Sequence, residues 1–145
     1  MVEPLIRAAA SEDTAALRDL FRRSSLSNES DRASLLAHPE ALELSGLAVE
    51  EGRARVAVID GCIVGFATLL GSELEDLFVD PGWIRRGIGR ALVKDAVAVA
   101  QAQGLERIEV IANDHALEFY ERVGFVRDGT VETAFGRGSR MHLAC

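Results

Sequence analysis

Apolar residues recur three and four positions apart in several stretches of the chain, which is the spacing that lines one face of a helix. The strongest stretch runs from Gly87 to Gln103, and Gly104 follows where a helix commonly ends. The polar run from Ser24 to Asp31 is predicted to be a loop. We predict three further helical stretches: from a cap at Ser11 or Asp13 to about Arg23, from Glu29 through Ser45 with an interruption near Pro39, and from Asp114 to Val123.

Shorter apolar runs are typical of strands, because Gly, Pro, Asp and Ser bound them. Asp60-Gly61 and Gly71-Ser72 are predicted hairpin turns, and Gly136-Arg137-Gly138 is predicted to join the last two strands. The mixed order of elements predicts an α+β (mixed α/β) fold around one sheet, formed by a single domain over residues 1–145. The predicted strands are Leu5 to Arg7, Arg53 to Ile59, Cys62 to Leu70, Glu73 to Val79, Arg107 to Ala112, Phe125 to Glu132 and Ser139 to Leu143.

Composition excludes several classes of protein. The net charge is −7, whereas a non-specific nucleic-acid binder is normally basic, so no nucleic-acid partner is expected. No stretch approaches the ~20 apolar residues of a membrane span, and the N-terminus lacks the pattern of a signal peptide. The two cysteines, Cys62 and Cys145, build neither a disulfide framework nor a metal site. We therefore expect a cytoplasmic protein without a metal cofactor.

The run from Val79 to Arg90 is a candidate anion site. A strand ends, a short loop follows, and a helix begins at Gly87 and Gly89. Such a junction exposes unpaired backbone N–H groups at the positive end of the helix dipole, and glycine lets an anion approach closely. Arg85, Arg86 and Arg90 add positive charge, so the segment is suited to a pyrophosphate.

Two other phosphate motifs do not fit this run. Leu92 stands where a dinucleotide fingerprint needs its third glycine, and Arg90-Ala91 stands where a Walker loop needs Lys and Ser or Thr. A plain helix start with surface arginines remains the structural alternative.

A second segment runs from Asn113 to Phe125. Ala116, Phe119, Tyr120 and Val123 share one helical stripe, which by itself indicates core positions, and Asn113 is suited to cap the helix.

Both segments resemble motifs of the GNAT superfamily of acetyl-CoA-dependent N-acetyltransferases. The coenzyme motif [RQ]-x-x-G-x-[GA] falls on Ile84 to Gly89, with Ile84 where the family prefers Arg or Gln. The pattern N-x-x-A-x-x-F-Y-x-x-x-G-F matches Asn113 to Phe125 at every fixed position. The resemblance implies a mixed sheet of six or seven strands, flanked by about four helices and splayed between the fourth and fifth strands, with acetyl-CoA bound in the splay.

The resemblance also implies roles for individual residues. Tyr120 corresponds to the general acid that protonates the departing thiolate, and Asn113 to a contact of the pantetheine arm. The amides near Phe78 and Val79 correspond to partners of the pantetheine and to part of the oxyanion site. The implied coenzyme-binding residues are Leu77, Phe78, Val79, Arg85, Arg86, Gly87, Ile88, Gly89, Arg90, Ala91, Asn113, Ala116, Phe119 and Tyr120.

A base is also needed, because only a neutral amine attacks the thioester. Glu73 and Glu75 share one face of their strand and Asp76 lies on the other. The strand leads directly into the phosphate loop, and its Leu-Glu-Asp-Leu run is similar to the Ile-Glu-Asp-Ile stretch of glucosamine-phosphate acetyltransferases. Glu75 is therefore the first candidate for the base or for the anchor of a water relay, and a solvated strand edge is the alternative.

We expect an N-acetyltransferase that moves the acetyl group of acetyl-CoA to a primary amine by direct attack in a ternary complex. The alternative is a non-catalytic acyl-CoA-binding regulatory domain. The acceptor is an amine-bearing small molecule or peptide, which the sequence does not name, and a homodimer stays open.

Overall fold

The computed structural model describes residues 3–27, 29–133 and 136–145, and for residues 29–31 and 41 the backbone alone. Seven strands lie within these ranges: β1 (Leu5–Ala8), β2 (Ala54–Ile59), β3 (Cys62–Leu70), β4 (Glu73–Val79), β5 (Arg107–Ala112), β6 (Val126–Thr133) and β7 (Gly136–Ala144). Five α-helices accompany them: α1 (Thr14–Leu26), α2 (Glu29–Ala37), α3 (Leu47–Glu50), α4 (Ile88–Ala102) and α5 (Leu117–Arg122).

The strands form one mixed sheet in the order β1-β2-β3-β4-β5-β7-β6. The β1–β2, β2–β3, β5–β7 and β6–β7 ladders are antiparallel, whereas β4 and β5 run parallel. The register pair between β4 and β5 is Glu73↔Glu109, near the start of β4, and the Glu109 N–H donates to the Ser72 carbonyl at 2.8 Å. This is the predicted α+β fold with a mixed seven-stranded sheet. Among the described residues, no helix is both long enough and apolar enough to cross a membrane.

Most predicted elements are confirmed. The strands β3, β4 and β5 have the predicted bounds, and α4 begins and ends within one residue of its prediction. Asp60 and Gly61 form the predicted hairpin turn, with φ of 51° and 78°. Such turns need positive φ at both central residues, which Asp-Gly supplies.

The predicted loop from Ser24 to Asp31 is wrong for most of its length. Helix α1 continues through Leu26, and α2 begins at Glu29. The last turn of α1 is held by serines, since the Ser27 hydroxyl donates to the Ser24 carbonyl at 2.6 Å. Serine side chains that bond to the backbone stabilise helix ends as well as loops, so polarity alone misplaced this boundary.

Other elements differ from prediction as well. The helix predicted from Glu29 through Ser45 ends at Ala37, and after the predicted interruption only a 3-10 turn, Pro39–Leu42, follows. Gly136 and Gly138 belong to β7 rather than to a turn. Close packing favours glycine at position 138, because a Cβ there would lie 3.0 Å from Ile111 Cγ2. Helix α5 begins at Leu117 rather than Asp114, because residues 114–116 form a turn. The short helix α3 was not predicted.

The chain packs as two compact units. The first comprises Met1–Thr68 and Asp76–Leu92, and the second Leu69–Glu75 and Val93–Cys145. The core of the first unit joins Leu17 and Leu20 of α1 to Val56 and Phe66 of the sheet. In the second unit alternate β5 residues, Ile108, Val110 and Ala112, are buried, as a strand with one covered face requires.

Gly65 is tightly surrounded in the first unit. A Cβ at this position would lie 2.9 Å from Ile88 Cγ2, 3.0 Å from the Phe78 carbonyl oxygen and 3.1 Å from Leu92 Cδ1. The absence of a side chain therefore lets the first turn of α4 and the end of β4 approach β3 directly. The loop that joins β4 to α4 is held at both ends by this contact.

We expect Gly65→Ala to lower the free energy of unfolding by about 1–3 kcal/mol, because the added methyl group forces a backbone carbonyl and two buried side chains apart. Urea unfolding of the two proteins measures the difference. Gly129→Ala is the matched control: its Cβ would meet nothing within 4 Å, so the change should stay within about 0.5 kcal/mol. Equal stability of Gly65→Ala and wild type would show that α4 does not press on β3 at this point.

Candidate active site

The loop between β4 and α4 has a shape suited to an anion. Pro81–Trp83 forms a 3-10 turn, after which Arg85 and Gly87 adopt left-handed φ values of 62° and 81°. Helix α4 begins at the next residue, Ile88, which is buried. Successive N–H groups in such a conformation line a concavity, and the positive end of the 15-residue helix adds to the attraction for an anion.

The side chains around this loop are mainly cationic and open to solvent. Arg85, Arg86 and Arg90 are exposed, and none forms an ion pair within the part of the chain that the structure describes. The Arg86 guanidinium carbon lies 5.0 Å from the centre of the Trp83 ring, which is a cation–π distance. Ile84 is 57% exposed, so it does not pack inward. The sequence predicted the positive charge of the three arginines, but nothing in it indicated the left-handed backbone of Arg85.

The second predicted segment lies in the second unit, on α5 and the turn before it. Tyr120 is buried, and its ring contacts those of Phe119 and Phe125 edge-to-face, with centroids 5.2 and 5.1 Å apart. The Asn113 Oδ1 accepts the Ala116 N–H at 3.0 Å and so closes the turn before α5, whereas the N-cap of α5 is Ala116 and has no side-chain cap. Tyr120 is thus packed between two aromatic rings.

Strand β4 carries the remaining predicted residues. Leu77, Phe78 and Val79 are half-buried, and the Phe78 ring packs against Phe21 of α1 at 4.9 Å and against Phe66 at 5.6 Å. Glu75, the predicted base, is exposed.

Asp76 has a partner that sequence reasoning missed. The hydroxyl of Thr68, which is buried, donates to Asp76 Oδ2 at 2.7 Å. Thr68 lies two residues from Phe66 on β3 and therefore shares its face, which α1 covers. The alternation of Phe66 and Thr68 was the available signal for this pair.

Across the described residues, no group of three or more His, Cys, Asp and Glu side chains is placed to hold a metal ion. Taken separately, the first unit has a turn suited to an anion, the second unit has a tyrosine packed against two aromatic rings, and β4 carries carboxylates.

Comparison with known proteins decides the family. Residues 14–125 match the profile described as "Acetyltransferase (GNAT) family". The chain belongs to the GNAT acetyltransferase family. It is therefore an N-acetyltransferase that uses acetyl-CoA as its acetyl donor, and the non-catalytic alternative is set aside.

The relatives show the extent of the similarity. Peptidyl-lysine N-acetyltransferase YjaB of Salmonella typhimurium is 34% identical over 128 residues, which cover 88% of this chain and 86% of that protein. Glucosamine 6-phosphate N-acetyltransferase of Trypanosoma brucei brucei is 30% identical, with coverage of 67% and 84%. An uncharacterized N-acetyltransferase of Methanocaldococcus jannaschii is 40% identical over 57 residues, and there the match spans 25% of that protein.

Among solved structures, a GCN5-related N-acetyltransferase of Rhodopseudomonas palustris superposes with a TM-score of 0.82 at 25% identity. The superposition covers 100% of this chain and 99% of that one. The mixed seven-stranded sheet is thus the fold of the GNAT family.

Ile84 stands where the GNAT family prefers Arg or Gln, and this difference can be tested. We expect Ile84→Arg to tighten coenzyme A binding by roughly two- to fivefold, because the exposed position accepts a longer side chain and adds a cation beside the anion-binding turn. Quenching of Trp83, the one tryptophan of the sequence, reports the affinity. Leu47→Arg is the matched control, since Leu47 is 52% exposed and lies on α3. Equal affinities of Ile84→Arg and Leu47→Arg would place the phosphates elsewhere.

Proposed function

We propose that this acetyltransferase transfers the acetyl group directly to a primary amine in a ternary complex, with Tyr120 as general acid and Glu75 as base. The observation that carries the proposal is the left-handed backbone at Arg85 and Gly87, at the end of the loop that joins β4 to α4. In this proposal the two units serve one reaction as a single N-acetyltransferase domain in the cytoplasm, and a homodimer stays open.

The coenzyme is assigned to β4 and to the turn that follows it. The backbone N–H groups from Arg86 to Gly89 would bind the pyrophosphate, with Arg85 and Arg90 in support. In the first unit, Asp76–Val79 is the outer segment of the sheet, because the start of β4, with its register pair to β5 at Glu73, belongs to the second unit. An edge strand binds an extended amide-bearing chain through its backbone, so the amides of 77–79 suit the pantetheine arm. Ile88, Ala91, Asn113, Ala116 and Phe119 complete the proposed contacts.

Tyr120 has suitable chemistry for the acid. A thiol has a pKa near ~8.5 and a tyrosine near ~10, so proton transfer from the phenol to a free thiolate costs only ~2 kcal/mol before the site assists. The carbon–sulfur bond breaks, the thiolate takes the phenolic proton, and the tyrosinate regains a proton from solvent. The aromatic contacts of Tyr120 keep the hydroxyl in one position during this step.

Glu75 is assigned to the amine. Its exposure lets a soluble ammonium group reach it, and the carboxylate would take the proton directly or through a water molecule. The neutral amine then attacks the thioester carbonyl.

The acceptor class is a primary amine on a small molecule or a peptide. The names of the two relatives include peptidyl-lysine and glucosamine 6-phosphate, both primary amines on unlike frameworks. The net charge of −7 favours a cationic acceptor through long-range attraction. A lysine-containing peptide is therefore the first substrate to test, followed by polyamines and glucosamine 6-phosphate.

We expect Tyr120→Phe to lower kcat by roughly tenfold or more with coenzyme affinity nearly unchanged, because only the proton donor is lost and the ring packing stays. Thiol release measures turnover on the amine panel, and Trp83 fluorescence measures binding. The loss should shrink for acyl donors whose leaving thiol is more acidic.

Glu75→Gln is the companion variant in that assay. Its turnover should fall most at low pH, where more of the amine is protonated and the base matters most. If Tyr120→Phe keeps wild-type turnover when the chemical step is rate-limiting, Tyr120 is not the acid and serves only in packing. Wild-type turnover of Glu75→Gln would show that Glu75 is not the base and is only a solvated residue of the strand edge.

A further inference from the structure

Asp80 lies at the entrance of the coenzyme turn, and four hydrogen bonds hold it. Its N–H donates to the Val64 carbonyl at 2.8 Å, and its carbonyl accepts the Trp83 N–H at 2.8 Å. Its carboxylate accepts the Gly82 N–H at 2.9 Å through Oδ1 and the Arg23 guanidinium at 2.9 Å through Oδ2. Asp80 therefore fixes the start of the loop to β3 and to α1.

Arg23 reaches Asp80 from a well-anchored helix. Its Nε donates to Asp19 Oδ2 at 2.7 Å one turn back on α1, while Nη1 faces Asp80. The same helix is held in the core by Leu17 and Leu20. The side chain of Asp80 is 20% exposed and that of Arg23 is 45% exposed, so the pair is partly shielded from solvent.

The electrostatics of the pair favour the charged form of both groups. Partial burial raises the pKa of Asp80, but the Gly82 N–H and Arg23 outweigh that effect and leave the pKa below its ordinary value. The hydrogen bonds to Asp19 and Asp80 raise the pKa of Arg23. Asp80 is thus a carboxylate at neutral pH, and it stands in the turn that must receive an anionic coenzyme.

We propose that Arg23 is a positioning residue for coenzyme binding, which neutralises Asp80 and holds it so that the turn receives a pyrophosphate. The proposal rests on the assignment of the coenzyme to this turn. Without Arg23, the Asp80 carboxylate would repel the phosphates and lose one of its two orientation contacts. Arg23 acts through Asp80 and need not touch the coenzyme.

This mechanism predicts an unusual pattern among variants. Arg23→Gln should weaken coenzyme A binding by about fivefold, as expected for an unbalanced, partly shielded charge. Asp80→Asn should bind more tightly than wild type, because the amide oxygen still accepts the Gly82 N–H and the Arg23 cation is left unbalanced beside the turn. The double variant should bind about as well as wild type, since both charges of the pair are gone and none is left unbalanced.

Trp83 fluorescence gives the dissociation constants of coenzyme A for these full-length proteins. The KM for acetyl-CoA should rise with that constant in Arg23→Gln, while kcat at saturating donor stays within about twofold. Arg23→Lys keeps the charge and should restore most of the affinity. Arg22→Gln is the matched control, because Arg22 is the exposed neighbour on α1 and forms no ion pair among the described residues.

Each result supports or overturns the inference. Equal affinities of Arg23→Gln and Arg22→Gln would remove the positioning role. A double variant as weak as Arg23→Gln would show that Arg23 binds the coenzyme directly, and a weak Asp80→Asn would show that its charge is needed. If Arg23→Gln fails to fold, Arg23→Lys and Asp80→Asn still decide the matter. If the wild-type protein does not bind coenzyme A, the proposed function itself is wrong, and this result is distinct from the variant results that would overturn the role of Arg23.

Discussion

The site depends on one steric constraint, the bare backbone of Gly65. Ile88 and Leu92 of α4 and the carbonyl of Phe78 occupy the space that any side chain there would fill. This contact brings the end of β4 and the first turn of α4 against the same strand. Both ends of the intervening loop therefore lie against β3, and the left-handed residues Arg85 and Gly87 lie between them.

The loop between β4 and α4 is locally positive although the protein as a whole is acidic. The net charge is −7, yet the loop presents Arg85, Arg86 and Arg90 together with the N–H groups of a helix start. The acid within the loop, Asp80, is paired with Arg23. An acidic protein suited to the proposed amine acceptor can therefore still carry one local site for the proposed phosphate ligand.

Sequence reasoning recovered those features that arise from local chemistry. Strands β3 and β4 were bounded correctly because Asp60-Gly61 and Gly71-Ser72 punctuate apolar runs. The Tyr120 segment was found because every fixed position of its motif is present, and the bond from the Ala116 N–H to Asn113 is an interaction over three residues. The seven-stranded fold followed from the order of these elements together with the family resemblance.

The remaining features depend on contacts between distant parts of the chain. Arg23 and Asp80 are 57 positions apart, and nothing near either residue indicates the other. The Thr68–Asp76 bond requires the register of β3 against β4, and the place of Gly138 in β7 requires knowledge that Ile111 lies against it. Arg85 adopts a backbone conformation that its residue type disfavours, so only the surrounding packing could reveal it.

The most direct test of the central claim is the backbone amide spectrum of isotopically labelled protein during titration with coenzyme A and, in parallel, with pantetheine, which lacks the pyrophosphate. We expect coenzyme A to shift the amide signals from Arg86 to Gly89 in a saturable manner, and pantetheine to leave them nearly unmoved. If the protein binds coenzyme A while those amides keep their positions, the turn at the start of α4 does not hold the pyrophosphate.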